Sequence, residues 1–155
     1  MSELRSVVLA VDMATRVRDD AGSVLLRVQR KLRAALDQIE QLESYAADTE
    51  SKWSVTSQVC AVPEIVRNYY QFMGRLQQAI DLQRGVIADL QREMAAAKLA
   101  LLDAEIRIAS LNKLLSKKQT IVERRQAGRD QRQLDEFAAM QHRRLRLVPE
   151  TLETP

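Results

Sequence analysis

The stretch PEIVRNYYQFMGRLQQAIDLQRGVIADLQREMAAAKLALLDAEIRIASLNKLLSKKQTIV, residues 63–122, decides the fold. From Val66 its seam positions return in alternating steps of three and four: Val66, Tyr69, Met73, Leu76, Ile80, Gln83, Ile87, Leu90, Met94, Ala97, Leu101, Ala104, Ile108, Leu111, Leu115, Lys118 and Val122. Eight heptads pass without a change of phase, which predicts one long helix keeping a single face covered. Pro63 suits the first turn, where its missing N–H costs nothing, and Glu64 behind it complements the helix dipole.

Working back from Pro63, a second periodic run precedes it: Ala14, Val17, Ala21, Val24, Val28, Leu32, Ala35, Ile39, Leu42, Ala46, Thr49, Trp53, Thr56. Its doubled step of four at Val24, Val28, Leu32 reads as a stutter that locally relaxes the supercoil. The prolines stand at 63, 149 and 155, so no proline interrupts either run. The expectation is an all-α, long two-helix antiparallel coiled-coil hairpin, a single domain over 1–148. Helix 1 spans about 4–57, the turn 58–62 and helix 2 about 63–146, with a disordered tail at 149–155.

Composition agrees. Ala (19), Leu (20), Arg (18) and Gln (14) supply 71 of 155 residues, the vocabulary of helix. Aromatics are only 4%, too few for the usual compact core. Charges recur too often for a membrane span, and MSELRSVVLAVDMATR, with Asp12 inside its apolar run, does not read as a signal peptide. One cysteine excludes an intrachain disulfide and fits a reducing compartment.

With a turn centred near residue 60, residues that lie level have numbers summing to about 120, so helix 2 outruns helix 1. From about Lys117 to Arg146 it projects alone for roughly 30 residues, about 45 Å. Propensity alone holds such a helix poorly, so it frays or finds a partner. Nine basic residues there face four acids, a net +5 in a chain of net +3. Leu134, Phe137, Ala138, Gln141 and Leu145 carry an apolar stripe through the same segment, which suits docking against protein.

Enzyme chemistry finds no footing. A two-helix hairpin has no interior for a concave site. A single histidine and a single cysteine supply neither a nucleophile set nor four zinc ligands. His142 reads as a solvated helix residue and Cys60 as a small free thiol in the turn. The carboxylate pairs Glu40/Glu43 and Asp81/Asp89 read as a solvated face. Four glycines, 22, 74, 85 and 128, interrupt the pattern without forming a phosphate loop. No catalytic residue, cofactor, metal or small-molecule substrate is expected.

Around the turn the apolar stripe is wider than two helices need. Gln38, Leu42, Tyr45 and Thr49 on helix 1 lie level with Phe72, Leu76, Ala79 and Gln83 on helix 2. With Tyr69 and Tyr70 this stretch holds four of the six aromatics. Two readings stand side by side: the rings fill the seam, or they anchor a docking patch.

PEIVRNYYQFMGRLQQAI (63–80) and QIEQLESY (38–45) carry a resemblance to the FliJ family of flagellar export proteins, supported by length and the unequal hairpin. The likeness covers about residues 10–145. It implies a protein similar to the central stalk of rotary ATPases, bound within the hexameric export ATPase, linked to the cytoplasmic domain of the membrane export gate, and engaged with export chaperones. It implies location in the cytoplasm, peripherally associated with the membrane at the flagellar base. The gate-facing patch would fall on Gln38, Leu42, Tyr45, Thr49, Phe72, Leu76, Ala79 and Gln83, with Thr49 in place of a tyrosine and Gln83 in place of a histidine. The terminal ends, including Arg124, Arg125, Arg129, Arg132, Leu134 and Phe137, would enter the ATPase. Two other classes stay open: a nucleic-acid-binding basic coiled coil, disfavoured by the interspersed acids, and a purely structural homodimer burying the wide stripe in a four-helix bundle.

Overall fold

The structure is a computed structural model that describes residues 2–59 and 62–147. It consists of two α-helices, α1 (Ser2–Val59) and α2 (Pro63–Leu147), an all-α antiparallel coiled-coil hairpin with no strand among the described residues. The residues called a disordered tail, 149–155, and the turn residues Cys60 and Ala61 lie outside the described ones. Pro63 opens α2 as its sequence position suggests. The Val66 N–H donates to the carbonyl of Val62 at 3.1 Å, so the residue before the proline supplies the first acceptor.

The chain divides into two compact units, one of residues 14–107 and one of residues 1–13 with 108–155. In the first, α1 and α2 run side by side, and Leu32, Ala35 and Ile87 form a buried cluster packed by Ile39, Leu90 and Met94. Every α2 position expected on the seam between Val66 and Ala104 is buried or half-buried.

α1 corrects the sequence reading. Val17 and Val24 are 59% and 43% exposed, while Arg18 and Leu25 are the covered residues beside them. The seam therefore runs Ala14, Arg18, Ala21, Leu25, Val28, Leu32, Ala35, Ile39, Leu42, Ala46, Thr49, Trp53, an unbroken alternation of four and three, so no doubled step falls at Val24, Val28 and Leu32. Thr56 is likewise exposed and Ser57 half-buried in its stead. Arg18 escapes a hydrophobicity-based pattern because it divides itself. Its guanidinium bonds the exposed Asp19 carboxylate at 3.1 and 3.3 Å, and its aliphatic stem covers the seam.

In the second unit, Leu4, Val7, Ala10 and Val11 of α1 are the covered residues, with Ile108, Leu111, Leu115 and Lys118 on α2. The Lys118 ammonium pairs with Glu3 at 3.5 Å. Val122, expected as the last seam residue, is exposed, as is every α2 residue from Gln119 to Leu147. The covered face ends at Lys118, which pairs with Glu3 in the first turn of α1.

Candidate functional site

Between Ala14 and Arg107, the eight patch residues fall into two groups. Leu76 is buried, Leu42, Thr49, Ala79 and Gln83 are half-buried, and Gln38, Tyr45 and Phe72 are exposed. The structure joins them across the helices. Tyr45 and Phe72 meet edge to face with centroids 5.9 Å apart and planes at 82°, the geometry an aromatic quadrupole favours. Gln83 donates to the carbonyl of Ala35 at 3.0 Å and to the side-chain oxygen of Gln38 at 3.4 Å. The Thr49 hydroxyl donates to the Tyr45 carbonyl at 2.8 Å, a local bond common for helical threonine.

A residue assigned only to the seam belongs to this aromatic group. Trp53 stacks on Tyr69 with centroids 4.3 Å apart and planes 9° from parallel, and Tyr69 contacts Tyr70 at 5.4 Å. Five of the six aromatics thus sit in ring pairs. The level rule, which puts 53 opposite 69 within two residues, contained that signal. The Tyr69 hydroxyl is held above its ordinary pKa of 10.0, first by desolvation, then by the negative charge of Glu50 and by Tyr70.

The opposite side of the same seam is polar. Arg84 pairs with Glu43 at 3.3 Å across the helices and with Asp81 at 3.6 Å along α2. Asp89 pairs with Arg92 at 3.6 Å. The carboxylates Glu43, Asp81 and Asp89 are therefore exposed and matched to arginines.

In the unit formed by 1–13 and 108–155, Arg124, Arg125, Arg129, Arg132, Leu134 and Phe137 are all exposed. None of these four arginines has an ion-pair partner among the described residues. The neighbouring acids are engaged by glutamines instead: Gln126 donates to Asp130 at 3.0 Å and Gln131 to Asp135 at 3.2 Å. Ser2, Glu3, Leu4, Lys118, Ile121, Val122 and Arg125 line a shallow recess where α1 starts against α2. His142 is exposed, and the Cys60 thiol lies outside the described residues.

Among the described residues, no group of three or more His, Cys, Asp or Glu lies together as a metal site would require. No helix among the described residues is long and apolar enough to cross a membrane. The described residues define a coiled-coil protein of two long helices with many exposed side chains.

The family model described as Flagellar FliJ protein matches residues 4–146. The chain belongs to the flagellar FliJ protein family. Its members serve flagellar protein export in a non-enzymatic coupling or chaperone role, interacting with the export ATPase and gate components. No curated protein and no solved structure matches the chain.

Proposed function

We propose that this chain couples the flagellar export ATPase to the export gate, with different residues serving each partner. The observation that carries the reading is the bare stretch of α2 beyond Lys118, where four unpaired arginines accompany Leu134 and Phe137, both more than half exposed. Unpaired guanidiniums steer toward an acidic surface, and apolar side chains among them supply the contact that water exclusion rewards. This segment engages the hexameric ATPase. The gate's cytoplasmic domain takes Gln38, Leu42, Tyr45, Thr49, Phe72, Leu76, Ala79 and Gln83, with Tyr45 and Phe72 as anchors. Export chaperones use the same exposed helix faces. The protein works at the cytoplasmic face of the membrane as a peripheral component and catalyses no reaction itself.

Binding to purified partners tests both assignments at once. R124E/R125E/R129E and L134A/F137A are expected to lose retention on the ATPase and any stimulation of its hydrolysis while still binding the gate domain. Y45A/F72A is expected to behave in the opposite way. Wild-type ATPase binding by both α2 variants would overturn the assignment of that end. Equal loss of both partners by Y45A/F72A would overturn the division of labour.

A further inference from the structure

The seam between Ala14 and Arg107 has two flanks, and they differ. In an antiparallel pair the residues preceding each a position, the g positions, share one side, and the e positions share the other. The contacts fix which is which: Tyr45 meets Phe72 on the g side, and Glu43 meets Arg84 on the e side. Along the e side α2 carries Tyr70 near its start and then Gln77, Arg84, Gln91, Lys98 and Glu105. Along the g side it carries Ile65, Phe72, Ala79, Val86 and Ala100, with two charges, Glu93 and Arg107. On α1 the g side carries Val17, Val24, Gln38 and Tyr45, with two charges, Lys31 and Lys52. The valines that the seam rejected thus lie on an exposed apolar flank.

We propose that this flank is the contact surface for a second copy of the chain. The two hairpins lie face to face with their Val59/Pro63 ends together, so that α1 of each covers α2 of the other. Charge placement selects both the occupant and the alignment. Lys31 and Glu93 are level, their numbers summing to 124, between the 117 of Tyr45–Phe72 and the 127 of Glu43–Arg84. Neither has an ion-pair partner within the chain among the described residues. A two-fold axis along the helices sets each Lys31 against the partner's Glu93, twice per dimer. It also brings Asp48 opposite the partner's Arg75, two more exposed charges without an ion pair in the chain. Asp20 against the partner's Asp103 is the like-charged exception. The other face-to-face arrangement, with α1 over α1, brings together two flanks whose charges, Lys31 and Lys52, are all positive, and is disfavoured. Because the flank includes Tyr45 and Phe72, the dimer competes with the proposed gate contact.

Sedimentation equilibrium of the full chain over a roughly hundredfold concentration range, reaching tens of micromolar, tests this. The expected mass rises from one chain toward two. Lys31→Glu and Glu93→Lys are each expected to weaken association about tenfold, since two exposed ion pairs become two repulsions. The double exchange K31E/E93K is expected to restore it, with helix content by circular dichroism unchanged in all three. A single-chain mass at every concentration overturns the proposal, as does association strengthened by Lys31→Glu or left weak in the double exchange.

Discussion

Gln83 donates a 3.0 Å hydrogen bond from its side-chain amide to the backbone carbonyl of Ala35, across the seam and beside the buried cluster of Leu32, Ala35 and Ile87. Leucine or isoleucine would fill that seam position with more apolar area. The amide instead reaches a main-chain atom whose place along α1 is fixed. A polar group at a seam position favours the register that satisfies it, because sliding either helix leaves the amide half-buried and unpaired.

Removing the bond has a measurable signature. Gln83→Ala is expected to lower stability by about 1 kcal/mol, through the lost hydrogen bond together with lost side-chain contact. Gln83→Leu is expected to match or exceed the wild type in urea while broadening the amide signals around Ala35 in heteronuclear spectra, as neighbouring registers become accessible. Unchanged midpoints and sharp signals in both variants would show that the bond contributes nothing to register.

The Trp53–Tyr69 stack predicts an alkaline weakness. Desolvation raises the Tyr69 pKa above 10.0, with Glu50 and Tyr70 adding to it. The folded state therefore binds the phenolic proton more tightly than the unfolded chain does. That contribution is fully present below the unfolded pKa near 10 and is lost as pH climbs through the raised folded value. Thermal melts from about pH 8 upward should show little change from this group until about pH 10 and a decline beyond it. Tyr69→Phe keeps the ring and removes the ionisation, so its decline should be shallower. A variant as alkali-sensitive as the wild type would place the effect elsewhere.

These residues also show how far the sequence could be read. The α2 seam is legible because every position its heptad spacing selects from Val66 to Leu115, the polar Gln83 included, is covered. On α1 hydrophobicity points to Val17 and Val24, whereas Arg18 covers the seam with its stem and Leu25 stands on it in place of Val24. The eight patch residues were found as a level group, since helical spacing and the level rule are geometric. Their division into buried Leu76 and exposed Tyr45 and Phe72 was not, because exposure depends on how far each flank opens. The Trp53–Tyr69 stack needed ring orientation, which spacing does not encode.

Gly74 and Gly85 offer a test of stability at positions that no proposed contact itself uses. Both lie in the interior of α2, neither has a positive φ, and a Cβ built at either meets no atom within 4 Å. Alanine loses less backbone entropy on folding and meets no obstacle at either site. Gly74→Ala and Gly85→Ala should each raise stability by about 0.5–1 kcal/mol, with additive effects in the double variant if the sites are independent. The urea midpoint reads this directly. Destabilisation by either substitution would reveal a close neighbour or a need for bending at that turn.

The bare part of α2 should be the least protected helix in the free chain. From Gln119 to Leu147 no side chain is buried or half-buried, so its backbone hydrogen bonds rest on propensity and on i,i+4 contacts such as Gln126–Asp130 and Gln131–Asp135. A helix held this way opens readily, whereas amides near Leu32 and Ile87 exchange only through much larger openings. Hydrogen exchange followed by mass spectrometry should show peptides from 119–147 labelling orders of magnitude faster than peptides covering 28–39. Adding the export ATPase should slow exchange in 119–147 selectively, while L134A/F137A should show no such slowing. Strong protection of 119–147 in the dilute free chain would mean that something already covers this face. Protection by the ATPase that persists in L134A/F137A would move the contact away from the apolar stripe.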